Sequence, residues 1–194
     1  MGKRLKKKNL NLYKIEQSNL VGNKAIEYAK RYLAAQPTHR NLESVEEVKK
    51  YQEEAIDLIW KYQHANHPER MMSIEVKGDT YYQSGNYFFE TVSKEEEGKP
   101  GWMEYCNADF LFYYFLSNEG TKKKPVLRGV ELHIIAFKKA QRWFWKEVNR
   151  FEERKVQTDP DLGKRYTTVG RLVQCALLKK EVGVKIIKHN PAWN

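Results

Sequence analysis

The stretch SIEVKGDTYYQSGNYFFE, residues Ser73 to Glu90, decides how the chain is read. From Ser73 to Asp79 it alternates as a strand does: Ile74 and Val76 fall on one face, Glu75, Lys77 and Asp79 on the other. Gln83-Ser84-Gly85-Asn86 has turn chemistry, and Tyr87-Phe88-Phe89-Glu90 returns as a second strand carrying another acid. An acid and a lysine two residues apart on a strand suit a hard cation and a phosphate. The carboxylate ligates the ion, and the ammonium steadies phosphate charge or orients the attacking water. The same pattern also describes a solvated strand face in a chain that is 31% charged.

Working outward, 194 residues make a single domain able to bury a core, and 35 basic against 25 acidic residues give a net charge of +10. The excess is lopsided. Residues 1–120 hold 17 basic and 18 acidic side chains; residues 121–194 hold 18 and 7. Such a split suits a protein that grips a polyanion with one region and acts on it with another, or one whose basic surface serves solubility. Two cysteines, Cys106 and Cys175, are too few for a disulfide framework and read as buried thiols in a reducing compartment. The charged N-terminus lacks a following apolar segment, and the longest apolar run, Phe110 to Leu116, is strand-sized. A soluble cytoplasmic protein is expected, with no membrane partner.

Residues 1–15 form a basic arm (GKRLKKK from Gly2 to Lys8), suited to phosphate contact or to solubility, ahead of one domain over 16–194. Asn23 is placed to cap a helix through Ala35, with Ile26, Ala29 and Tyr32 or Leu33 buried and Glu27 its only acid. Residues 42–65 are ambiguous. Val45, Val48, Gln52, Ala55, Ile56, Ile59 and Tyr62 recur at helical spacing, whereas AIDLIWKY, Ala55 to Tyr62, also fits a strand carrying Asp57. His64 and His67 read as surface histidines. Glu95 to Gly101 is a loop, and ADFLFYYFL, Ala108 to Leu116, a central strand covered on both faces. Thr121 to Gly129 is a basic loop with Lys122, Lys123 and Lys124. Glu131 to Phe151 reads as a helix, with Ile134, Phe137, Phe144, Trp145, Val148 and Phe151 as its core stripe. Its other stripe, Lys138, Lys139, Arg142, Lys146 and Arg150, is a DNA-facing rail or a solvated face. Tyr166 to Leu178 and Gly183 to Lys188 follow as strands.

Five pieces in order carry a resemblance: Tyr51-Gln52, Ile56-Asp57-Leu58-Ile59, Ile74-Glu75-Val76-Lys77-Gly78-Asp79, Gly85-Asn86 with Glu90, and Gly98-Lys99-Pro100-Gly101-Trp102 leading to Ala108-Asp109. Together they resemble small phage and bacterial nucleases of the PD-(D/E)XK superfamily, over roughly residues 23–116. No proline precedes the first acid, a departure from the family signature. The resemblance implies an α/β fold with a mixed central sheet flanked by helices, a restriction-endonuclease-like core. It implies metal-dependent hydrolysis of DNA phosphodiesters in the cytoplasm, including that of a phage-infected host cell. Asp57 and Glu75 would ligate Mg²⁺, with Mn²⁺ a substitute; Lys77 would act on the water or the phosphate; Glu27 would be the helix acid. Asp79 and Glu90 form a rival register in which Val92 stands where the lysine belongs. Cutting both strands of a duplex usually demands two active sites, which a homodimer would supply; the oligomeric state is left open. The alternative is a non-catalytic nucleic-acid-binding or inhibitory protein on the same fold.

Overall fold

Residues 70–79 form a strand whose two faces set the layers of the molecule. The computed structural model describes residues 12–121, 124–159 and 165–193. Residues 1–11 of the expected basic arm, and Lys122 and Lys123, lie outside the described residues. In chain order the elements are β1 (Leu12–Lys14), α1 (Ile15–Ala34), β2 (His39–Ser44), α2 (Lys49–Glu53), β3 (Leu58–Tyr62), β4 (Arg70–Asp79), β5 (Asn86–Lys94), β6 (Lys99–Pro100), α3 (Trp102–Tyr105), β7 (Phe110–Asn118), β8 (Leu127–Ala136), α4 (Phe137–Glu147), β9 (Glu152–Asp159), β10 (Tyr166–Gln174), α5 (Cys175–Glu181) and β11 (Lys185–Lys188). They build an α/β structure with two sheets. A six-stranded mixed sheet runs β11-β8-β7-β4-β3-β2, and a five-stranded sheet runs β1-β9-β10-β5-β6. In the first, β4 and β7 are parallel and the other neighbours antiparallel.

On one face of β4, Ile74 and Val76 pack under α1 against Ala25, Tyr28 and Ala29. On the other, Glu75, Lys77 and Asp79 lie in register with Leu111, Tyr113 and Phe115 of β7, which pack against Tyr87 and Phe89 of β5. The charged row therefore faces the second sheet, not open solvent: Glu75 is only 3% exposed. Gly78 lets α1 sit this close, since a β-carbon there would stand 2.7 Å from the Val21 carbonyl oxygen and 3.0 Å from the Ala25 β-carbon. Gly78→Ala is expected to lower stability by roughly 1–3 kcal/mol, as overpacking in a filled interior does; a melting temperature equal to the parent's would show that α1 yields without strain.

Several sequence expectations are corrected. Asn23 does not cap α1, which begins at Ile15 and passes through it. Of the two readings of residues 42–65 the strand holds: α2 spans only Lys49–Glu53, Ala55 takes φ 47°, and β3 follows, because alternate burial between two layers prevails over the helical spacing. β5 does not pair with β4 as a hairpin. Both edges of β4 are taken by β3 and β7, so the chain turns at Gly85 (φ 67°) and β5 joins β10. Residues 131–136 are strand, not helix; Glu131, His133 and Ile135 face the second sheet, and α4 starts at Phe137. β10 ends at Gln174, where α5 begins, and β9 is an added strand. No described helix is long and apolar enough to cross a membrane.

Candidate active site

Asp57 immediately precedes β3, where its N–H donates to the Ile74 carbonyl (3.0 Å) and its Oδ2 accepts the Val76 N–H (2.8 Å). Two backbone bonds thus pin this carboxylate to the margin of β4, where the Asp57 and Glu75 carboxyls are close enough to act on each other's protonation. Glu75 pairs with the Lys77 ammonium, two residues along the same face. Lys77 Nζ sits 5.2 Å from the centre of the Trp102 ring, a cation–π contact that holds the amine from the α3 side. Glu90, arriving on β5 from the second sheet, lies near the Trp102 backbone and within electrostatic reach of Lys77. Two strands of one sheet, one of the other and a short helix therefore converge on Asp57, Glu75, Lys77 and Glu90.

Burial dominates the electrostatics. It pushes the Glu75 carboxyl up to about 8; Lys77 opposes the rise and the Asp57 charge adds to it. Asp57 and Glu90 are also raised by burial against the pull of Lys77. Burial works against the Lys77 ammonium, yet Glu75 and Asp57 outweigh it and raise the lysine above its ordinary value. Burial thus favours a proton on the Glu75 carboxyl near neutral pH, while the lysine beside it stays charged. A third of the Lys77 side chain stays accessible, so the cluster communicates with solvent.

The other sequence-chosen residues lie elsewhere. Glu27 is on α1, across the six-stranded sheet from Glu75, where it pairs with Lys24 (2.8 Å) and Arg31 (2.5 Å). The strand alternation that sends Ile74 and Val76 toward α1 sends Glu75 away from it, so Glu27 is not part of this cluster. Asp79 serves the turn after β4, accepting the Tyr113 hydroxyl and the Tyr81 N–H, each at 2.6 Å. The basic residues separate into two groups. Lys124 is exposed beyond the Asn118 end of β7, whereas α4 starts beside Phe110, the end nearer Glu75. On α4, Lys138 and Lys139 donate to the carbonyls of Cys106 (3.1 Å) and Val182, while Arg142 and Lys146 are exposed with no bond or ion pair among the described residues.

Three site features escaped the sequence. Trp102 borders the cluster through Lys77, with Tyr105 one turn further along α3, and their place depends on how α3 folds over β5. A buried chain also runs from the Tyr87 hydroxyl to His133 Nδ1 (2.6 Å) and from His133 Nε2–H to Glu131 (3.0 Å), beside a hollow of about 260 Å³ lined in part by Cys175 and Lys179. Burial lowers His133, which keeps the imidazole neutral in that chain. Its signal was present as Glu131 and His133 two apart, hidden by the helical assignment of that segment. A second hollow of about 360 Å³ gathers Tyr62, His64, His67 and Arg70 at the β3–β4 connection. Neither hollow is lined by Asp57, Glu75 or Lys77.

Among the described residues no three or more His, Cys, Asp or Glu side chains form a group that could hold a metal ion. The donor set at the cluster is the neighbouring Asp57 and Glu75 carboxyls. That chemistry fits a hard cation that keeps several waters, as Mg²⁺ does, and not the four closed N and S ligands of structural zinc. No protein-family model matches the chain, and no curated protein or solved structure does. The functional reading rests on these side chains alone.

Proposed function

We propose that the protein is a metal-dependent endonuclease that hydrolyses DNA phosphodiester bonds, on a restriction-endonuclease-like core. The observation that carries this is the meeting of Asp57, Glu75 and Lys77 from adjoining strands, with free basic residues of α4 at the same end of the sheet. Asp57 and Glu75 would hold Mg²⁺ or Mn²⁺. The ion, when bound, supplies Lewis acidity and a more acidic water. The chain's own residues do the rest. Val76 N–H fixes the Asp57 carboxylate, the β4 backbone sets Glu75 and Lys77 on one side, and the Trp102 ring holds the Lys77 amine where it can meet phosphate charge or orient a water. Glu90 adds a carboxylate within electrostatic reach of Lys77.

The contact of Lys77 with Glu75 and its attraction to Asp57 also suit a protein in which the cluster is neutralised internally and only binding remains. One experiment separates the two: incubation with single-stranded, duplex and four-way DNA in Mg²⁺, in Mn²⁺ and in EDTA. Cleavage that requires the ion supports the enzyme; tight binding with every substrate intact in both metals overturns it. A second prediction concerns grip. Reversing Arg142 and Lys146 to glutamate is expected to weaken DNA binding and to reduce the salt slope by nearly 2, since each phosphate contact contributes about 0.9. An unchanged slope would show this helix face to be merely solvated.

A further inference from the structure

We propose that the cluster is fed with single-stranded DNA along a stacking track made by Tyr105 of α3 and Trp145 of α4, with Arg142 and Lys146 on the phosphates. The inference rests on the endonuclease reading and specifies its substrate. Large aromatic side chains are normally buried, yet Tyr105 is 40% and Trp145 39% exposed. Both are held by one clamp. Trp145 Nε1–H donates to the Met103 carbonyl (3.2 Å), Gln141 Nε2–H donates to the same oxygen (2.9 Å), and Lys138 donates to Cys106 (3.1 Å). The four residues of α3 are thereby fastened to α4 along Lys138, Gln141 and Trp145, positions spaced for one helix face.

The clamp has a chemical consequence. With its only donor committed to Met103, the exposed part of Trp145 is ring, a platform for a base and not a hydrogen-bond anchor. Tyr105 is the inner step: it lies one turn from Trp102 on α3, and the Trp102 ring contacts Lys77, so a base on Tyr105 brings its phosphate toward the cluster. Arg142 and Lys146, exposed on α4 beside Trp145, match a backbone passing the same rings. A duplex keeps its bases stacked inside and offers nothing to two exposed rings; an unpaired strand offers every base.

The test is fluorescence anisotropy in EDTA with an oligo-dT strand and a duplex of the same length. The parent is expected to prefer the single strand by about tenfold or more, the value of one stacked base. Tyr105→Ala and Trp145→Ala should each lose about tenfold on the single strand, keep the parent's salt slope, and change duplex affinity little. Tyr105→Phe, which retains the ring, should stay near the parent, and melting temperatures of both alanine variants close to the parent's show that the fold is intact. Equal or tighter duplex binding, or alanine variants that bind the single strand as the parent does, overturns the track. Because binding is read without metal, its fate is separable from that of the endonuclease: a protein that prefers single strands and cuts nothing keeps the track and loses the nuclease, and one that cuts without strand preference does the reverse.

Discussion

Replacing Lys77 by alanine is expected to slow DNA cleavage by on the order of a hundredfold or more, the effect typical of removing one preorganised charge from a transition state. DNA affinity in EDTA should hardly change. Lys77 is enclosed between Glu75 and Trp102 and meets the phosphate only as negative charge grows there, so its contribution falls on turnover and not on grip. Its loss has a second effect. The buried Glu75 carboxyl, already raised, loses its main opposing charge and holds its proton more firmly. The variant should therefore need more metal, so the comparison belongs at saturating Mn²⁺ under single turnover. Lys77→Arg separates the effects: it returns a positive charge beside Glu75 while altering the geometry of the donor, and should regain metal affinity before it regains rate. Parallel losses of rate and affinity in Lys77→Ala, or no loss of either, would remove Lys77 from the chemistry.

The strand bearing this lysine was legible because alternation within residues 73–79 is a local property, and so was the aromatic run of β7, apolar on both faces. What could not be read was which layer each face would meet. Glu75 and Lys77 looked like residues of a wet face; they lie between two sheets because β5, seemingly the return strand of a hairpin, belongs to the second sheet. Glu90 follows from the same fact, since only the crossing to that sheet brings it to Lys77. Residues 131–136 show the opposite failure. Their apolar residues continue the helical spacing of α4, and only pairing with β7 and β11 across long sequence separations makes them a strand. The basic stripe of α4 was visible in the spacing, but Lys138 and Lys139 cap distant carbonyls that no spacing reveals.

Metal-free protein is expected to lose stability as the pH rises from about 4.5 to about 8, and Glu75→Gln to remove much of that loss. The sign follows from proton binding. Folding raises the Glu75 carboxyl from 4.5 to about 8, so across that window the native state holds a proton that the unfolded chain has released. Stability then falls with pH through the window and levels off above it. Asp57 and Glu90 are raised as well and act in the same direction, so a residual slope remains in the variant. Glutamine imitates the protonated carboxyl in shape and hydrogen bonding but cannot ionise. The variant should melt close to the parent near pH 5 and above it at pH 8. Each unit of raised pKa is worth about 1.4 kcal/mol, and about 2–4 °C of melting temperature accompanies each kcal/mol in a chain of this size, so a gap on the order of ten degrees should separate the curves at pH 8. The proton is also what a divalent ion must displace. Adding Mg²⁺ at pH 8 should raise the parent's melting temperature and leave Glu75→Gln nearly unmoved, because only a ligand that prefers the native state stabilises it. Thermal melts from pH 5 to 9 with EDTA or Mg²⁺ read both effects. Parallel pH curves for parent and variant would mean that Glu75 is ionised throughout, and equal stabilisation by Mg²⁺ would place the ion away from Asp57 and Glu75.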